Sequence, residues 1–251
     1  MHLSQENTRR GPVDRGLAHL LRESHWYRWH RSHSRNAHLE GGTTAPAAPV
    51  INSPANDSFD TDGNVTLAGT AEEGSTVEVF DGETSEGTTP PVDSSGAWSM
   101  TLSTVGEGAH TYTAKATDAA NNTSGFSNPT KVTVDITKPT VTATTPLSRA
   151  INVTRGTNLT ATFSEQMMTS SINVKSFRLF RLNADGTQTQ ITDVVVSLST
   201  DGLKAKLDPF GTKTTLLARS TKYKGVVTIG TKDLAGNPLA QQKSWTFTTK
   251  S

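Results

Sequence analysis

HTYTAKATD, residues 110–118, decides the fold. Its residues alternate: His110, Tyr112, Ala114 and Ala116 fall on one side of an extended chain, and Thr111, Thr113, Lys115 and Thr117 on the other. A period of two places the first set on a core and the second in water, as in a half-buried antiparallel strand and unlike any helix. The stretch ends at Asp118, which opens the turn TDAANNTSG, residues 117–125. A second turn of the same kind, KDLAGNPLA, occupies residues 232–240. In both, Asp is followed two residues later by Ala and four residues later by Asn: Asp118–Ala120–Asn122 and Asp233–Ala235–Asn237.

Outward from residues 110–118, the chain is a series of short β-rich runs separated by Gly, Pro, Asn and Asp. VTLAGTA (65–71), TVEVF (76–80), AWSMTLS (97–103) and KVTVDI (131–136) surround the first run. VTATTP (141–146), NLTATFS (158–164), SFRLFRLN (176–183), TQITDVVVSLS (189–199), KAKLDPF (204–210), YKGVVTI (223–229) and SWTFTTK (244–250) follow. NADGTQ predicts a hairpin, since Asp-Gly accepts the positive φ of a tight turn. MMTSSINV alone reads as a short helix. Strands at this spacing, without helices between them, predict β-sandwiches. Trp98 and Trp245 each stand in a strand and are expected to anchor one core apiece, a buried indole covering roughly 150–250 Å².

Pro139, in VDITKPTV, cannot donate to a sheet ladder and marks a boundary. The reading is therefore all-β, with two tandem sandwiches at 49–138 and 139–251, a GGTTAPAAP linker ending at 48, and a basic leader at 1–42. The leader holds six of the seven His and seven Arg without a Lys. It has no apolar stretch of signal-peptide length, and reads as a disordered arm or as translation from a misplaced start. His30 and His33 have no acid nearby to complete a zinc site.

The chain of 251 residues has a mean hydropathy of −0.46 and a net charge of +1. That balance conceals a partition of +3 over residues 1–42, −10 over 43–138 and +8 over 139–251. An acidic module is joined to a basic one, which predicts charge-driven self-association that salt weakens. No run approaches the ~18 apolar residues of a membrane helix. The absence of cysteine removes disulfides, thiol nucleophiles and thiolate metal sites.

Residues 49–138 resemble the bacterial Ig-like repeats of large biofilm and adhesin proteins, through LAGTAEEGSTVEVFDG, SSGAWSMTL, GAHTYTAKATDAANNTS, SNPTKVTVD and the closing TKP. Asn121 stands where that family commonly has Gly. Residues 139–251 resemble a second bacterial Ig-like type found in S-layer proteins, through NLTATFSEQM, LDPF, STKYKGVVT, DLAGNPL and SWTFTT. The resemblance implies an extracellular or cell-surface spacer, stalk or adhesion unit. Its partners would be other surface proteins or cell-wall and matrix polymers, and not nucleic acid. An accessory region of a secreted enzyme and a carbohydrate- or protein-binding module are the alternatives.

In adhesins of the first type, calcium sits at junctions between repeats, and Asp118, Asn122 and Asp135 fall on matching positions. A hard ion taking six to eight oxygens suits that donor set. Against it, Asx side chains in turns commonly bond their own backbone. Asp233 and Asn237 lie in basic surroundings and are expected to form a bend only. FDTDGN (59–64) fails as an EF-hand, because that loop would put Ser58 and Gly69 at its ligand positions. Glu165 reads as polar punctuation at a strand end, and His110 as a packing residue on the inward face. No nucleophile elbow, phosphate loop or zinc-protease motif is present, so catalysis is not expected.

Overall fold

The computed structural model describes residues 42–211 and 216–251; the leader reading concerns residues that, but for the last, lie outside them. The first half of the chain forms β1 (Val50–Ser53), β2 (Ser58–Asp60), β3 (Asn64–Thr70), β4 (Thr76–Asp81), β5 (Thr84–Thr88), β6 (Ala97–Ser103), β7 (Gly108–Thr117) and β8 (Thr130–Val134). The second half forms β9 (Val141–Thr145), β10 (Ala150–Val153), β11 (Leu159–Phe163), β12 (Phe177–Leu182), β13 (Gln188–Ile191), β14 (Val195–Leu198), β15 (Lys204–Asp208), β16 (Lys222–Val227) and β17 (Lys243–Thr249). MMTSSINV yields a single 3₁₀ turn, Thr169–Ser171.

Each half is a pair of facing sheets. The first half has the orders β1-β3-β6 and β2-β8-β7-β4-β5; the second has β14-β15-β11-β9 and β10-β17-β16-β12-β13. The alternation read in residues 110–118 is realised from Tyr112 onward, with Tyr112, Ala114 and Ala116 no more than 1% exposed. One apolar cluster forms around Leu67, Val77, Val79, Trp98, Tyr112 and Val132. A separate one forms around Leu159, Phe177, Leu179, Tyr223, Trp245 and Phe247. Two disjoint cores mean two modules, each burying its own apolar faces.

The run TQITDVVVSLS is not one strand. It breaks between Ile191 and Val195, and its two parts join opposite sheets, β13 beside β12 and β14 beside β15. The corner falls at Thr192 and Asp193, a polar pair inside a β-rich run that carries no mark of which sheet each side joins. The opening strand of each module divides in the same way. β1 pairs antiparallel with β3 while β2 runs parallel to β8; β9 pairs with β11 while β10 runs parallel to β17. Pro54 and Pro146 stand at these crossings, where a residue without an N–H interrupts the ladder.

Both tryptophans lie across from a glycine, Trp98 from Gly69 and Trp245 from Gly225. The glycines serve different neighbours. A Cβ on Gly69 would stand 1.8 Å from the Val50 carbonyl oxygen, so this glycine lets β1 close onto the sheet. A Cβ on Gly225 would stand 2.7 Å from the Trp245 ring, so this one admits the indole. Gly225→Ala is therefore expected to destabilise the second module by about 1–3 kcal/mol through overpacking. Gly156→Ala, where an added Cβ meets only Leu216 at 3.6 Å, is expected to be near neutral. Urea unfolding followed by tryptophan fluorescence distinguishes the two.

Candidate metal centre

The strand registers place the sequence-derived site residues in two groups. β7 ends at Thr117, and its first residue, Gly108, pairs with Val134, next to Asp135. Asp118 therefore lies at the pole where the chain enters the first module, and Asp135 at the pole where it leaves. Nine strand steps of roughly 3.3 Å put them about 30 Å apart. Asp118 and Asn122 come together; Asp135 does not join them. The set Asp118, Asn122 and Asp135 is not one site, because the turn that closes a module points back toward the incoming chain.

The first turn is self-contained. Asp118 Oδ1 accepts from the backbone N–H groups of Ala120 and Asn122, both at 2.8 Å, and Oδ2 accepts from Asn122 Nδ2 at 2.9 Å. These donors hold the Asp118 carboxyl below the usual range, the Asn122 side chain foremost. Asn121 adopts φ 65°, a left-handed conformation that Asn tolerates, which accounts for the departure from Gly. The Asn122 amide also donates to the carbonyl of Gly42, in the incoming linker.

The second turn repeats this with one change. Asp233 Oδ1 accepts from the N–H groups of Gly236 at 2.7 Å and Asn237 at 2.8 Å. Asn237 Nδ2 reaches the incoming linker and donates to the Asp135 carbonyl at 2.8 Å. The two clasped residues are equivalent: Gly42 precedes Pro46, and Asp135 precedes Pro139, by four positions. The linker is held again one step on, where Ala240 N–H donates to the Pro139 carbonyl at 2.9 Å. With Asn237 committed to the linker, Asp233 Oδ2 has no donor, although the residue is only 1% exposed.

The Asp233 carboxylate belongs to a cluster. One carboxylate oxygen each from Asp135, Glu165 and Asp233 lie within 4.8 Å of one another. Asp135 follows β8, Glu165 follows β11, and Asp233 opens the last turn, so both modules contribute. Burial and then the Asp233 charge push the pKa of Asp135 and Glu165 upward. Among the described residues, no lysine or arginine lies within ion-pair distance of the three. A buried acceptor without a donor and two carboxyls raised by a third form a site short of positive charge. An oxygen-preferring divalent cation fits this donor set, with backbone or solvent oxygens completing its shell.

Sequence reasoning sets Asp233 aside on its basic surroundings and reads Glu165 as polar punctuation at a strand end. The available signal was local: F-S-E and D-x-x-G-N both end strands at the pole that receives the linker. His110, read as a packing residue, lies outside the apolar cluster. Its Nδ1 is 2.7 Å from Asp81 Oδ2 and its Nε2 is 2.9 Å from the Gly106 carbonyl. Both neighbours only accept, so the ring meets both as imidazolium. Burial opposes the charge, but the Asp81 and Gly106 bonds outweigh it and raise the pKa. Neither nitrogen is left to act as a base.

Residues 45–135 match the family model described as bacterial Ig domain, and residues 135–249 that described as bacterial Ig-like domain. No curated protein sequence matches the chain. Among solved structures, domains 1–6 of the surface layer protein SbsC are 22% identical with a TM-score of 0.34, over 45% of this chain and 14% of that one. The fibronectin(III)-like modules of Clostridium thermocellum CbhA are 16% identical with a TM-score of 0.36, over 80% and 93%. The BSP domain of a biofilm associated protein is 14% identical with a TM-score of 0.27, over 81% and 29%.

The two kinds of carboxylate carry opposite pH signatures. Asp118, with its pKa lowered, contributes stability at neutral pH that is lost as pH falls through its folded value. Asp135, with its pKa raised, contributes stability that is complete at low pH and lost as pH rises through its folded value. In chelator, Asp135→Asn is expected to raise the melting temperature at pH 7 and to leave it unchanged near pH 3. Asp118→Asn is expected to lower it at pH 7, with the difference closing in acid. Calorimetric melts across that range check both signs.

Proposed function

Because the chain belongs to the bacterial Ig-like domains, with an Ig domain at 45–135 and an Ig-like domain at 135–249, we propose that it is a non-catalytic spacer of a bacterial surface protein. Its two modules are tied at their junction by a divalent cation, calcium by preference for a hard carboxylate set. The observation that carries this reading is the buried Asp233 carboxylate, whose Oδ2 has no donor, clustered with one carboxylate of the preceding module and one of its own.

The cation has a mechanical role here. Asp135 leads into the short connection to Pro139, where Glu107 of the first module accepts from the Ile136 N–H and the Thr137 hydroxyl. A cation bound by Asp135, Glu165 and Asp233 fixes both ends of that segment, adding to the clasp that Asn237 and Ala240 make on its carbonyls. Sandwiches stiffened at their junction suit a spacer that holds a neighbouring domain away from a cell wall or matrix. The partners are then other surface proteins or wall and matrix polymers, and the location is the cell surface or beyond.

An aromatic binding platform of the carbohydrate-reading kind is disfavoured by the arrangement around Phe126. That ring, 52% exposed, meets Phe80 edge-on at 5.4 Å, but Lys115 Nζ stands 4.0 Å over its centroid. The ammonium occupies the face that a sugar would stack on. Among the described residues, no helix is long and apolar enough to cross a membrane.

Calorimetry of the full chain in chelator and then in millimolar calcium tests the proposal. At a hundredfold excess over Kd, calcium is expected to add about 2.7 kcal/mol of stability. Asp233→Asn and Asp135→Asn abolish the gain, and Asp118→Asn retains it. No calcium-dependent shift, or one lost only with Asp118→Asn, overturns the assignment.

A further inference from the structure

The positive charge of the second module is not spread evenly. Its acids lie in turns and at the junction. Asp185 and Asp201 accept hydrogen bonds from within their own turns, from Thr187 and from Ser199 and Leu203. Asp193 faces Gly211, where an added Cβ would come within 2.8 Å of its Oδ1. The outer face of the β10-β17-β16-β12-β13 sheet carries cations instead. In β16, Tyr223, Gly225 and Val227 turn to the core side, which leaves Lys222 and Lys224 outside, about 7 Å apart along the strand. In β12, Phe177 and Leu179 are inside and Arg178 is outside.

The register extends this face on both sides. Lys222 and Lys224 pair with Thr248 and Thr246 of β17, and Phe180, across from Lys224, pairs in turn with Gln190 of β13. At the β12–β13 edge the strip opens into a groove of about 310 Å³, with Lys175, Arg178, Gln190 and Thr192 in its walls. Arg178 Nε is buried there without an acceptor. No carboxylate lies on this face in the registers of its strands or in the walls of the groove. A row of cations, an amide and hydroxyls flanking Phe180, with Arg178 Nε lacking an acceptor, matches an anion, and its length matches a repeating one.

We propose that this sheet face of the second module binds a linear anionic polymer bearing phosphate or carboxylate groups along its length. The groove at Arg178 and Lys175 seats one group, and Lys224 and Lys222 track the next. The acidic first module of a second copy matches the face less well. Most of its carboxylates stand in turns and at strand ends, as Asp62, Glu83 and Glu107 do, with Glu78 and Glu86 inside β4 and β5. Its own outer sheet face, opposite the strip, carries Lys115 and Lys131 beside Glu78. Like charges would meet across a rigid, flat contact, whereas a flexible polymer presents only the anion.

Lysine acetylation of the full chain, read by mass spectrometry at low salt with and without long-chain polyphosphate or polygalacturonate, tests this. Protection of Lys222, Lys224 and Lys175, with Lys115 and Lys131 unchanged, is the expected result. Protection by polyphosphate alone assigns a phosphate polymer, by polygalacturonate alone a carboxylate one, and by both a site that reads charge and spacing. Arg178→Gln/Lys222→Gln/Lys224→Gln is expected to weaken polymer binding about tenfold, a loss of ~1.4 kcal/mol. Lys115→Gln/Lys131→Gln leaves binding unchanged. Absence of protection, or equal protection of Lys115 and Lys131, overturns the proposal. Protection that rises with the protein's own concentration, without polymer, also overturns it and assigns the face to a second copy.

Discussion

Asp233 divides its two carboxylate oxygens between two tasks, and the junction follows from that division. Oδ1 closes the last turn by accepting two backbone N–H groups. Oδ2 has no donor, and the carboxylate lies in a cluster with those of Asp135 and Glu165. A buried carboxylate that is half satisfied is costly alone, since desolvation disfavours charge and two further acids stand close by. The same three groups become favourable together once a cation lies among them. Local turn chemistry thus sets the donor group of an inter-module site.

The two Asp-x-Ala-x-Asn turns show how little separates a bend from a site. Both order their backbone through Asp Oδ1, and both send an Asn amide to a linker carbonyl, that of Gly42 or that of Asp135. In the first turn the Asn amide also satisfies Asp118 Oδ2, and the residue it clasps has no side chain. In the second the clasped residue brings a carboxylate of its own, and Oδ2 stays open. Each turn grips the linker that precedes its module, and the proposed cation site lies where that linker supplies an acid.

Charge is organised by position as well as by module. The second module, basic as a whole, keeps Glu165 and Asp233 at the pole that meets the acidic first module and its cations on an open sheet face. Negative charge at the joint attracts a small cation; positive charge on the flank attracts an extended anion. The proposed cation site and the proposed polymer face then lie on different surfaces of one module.

Much of the architecture was legible from residues alone. Alternation in residues 110–118 and in the runs after Pro139 set strands, faces and the two cores, because a period of two survives any arrangement of neighbours. The turns were legible too, since Asx side chains act on backbone a few residues away. The short edge strands β1, β2, β5 and β10, and the corner inside TQITDVVVSLS, left no such period, as pairing partners far along the chain define them. The site needed the tertiary structure for the same reason. Asp135, Glu165 and Asp233 span 98 positions of sequence, and only the packing of one module's end against the next module's entry pole brings their charges within a few ångströms. The sequence by itself determined which residues bend the chain; the fold decided which of those bends face one another, because a turn's direction depends on the sheet that carries it.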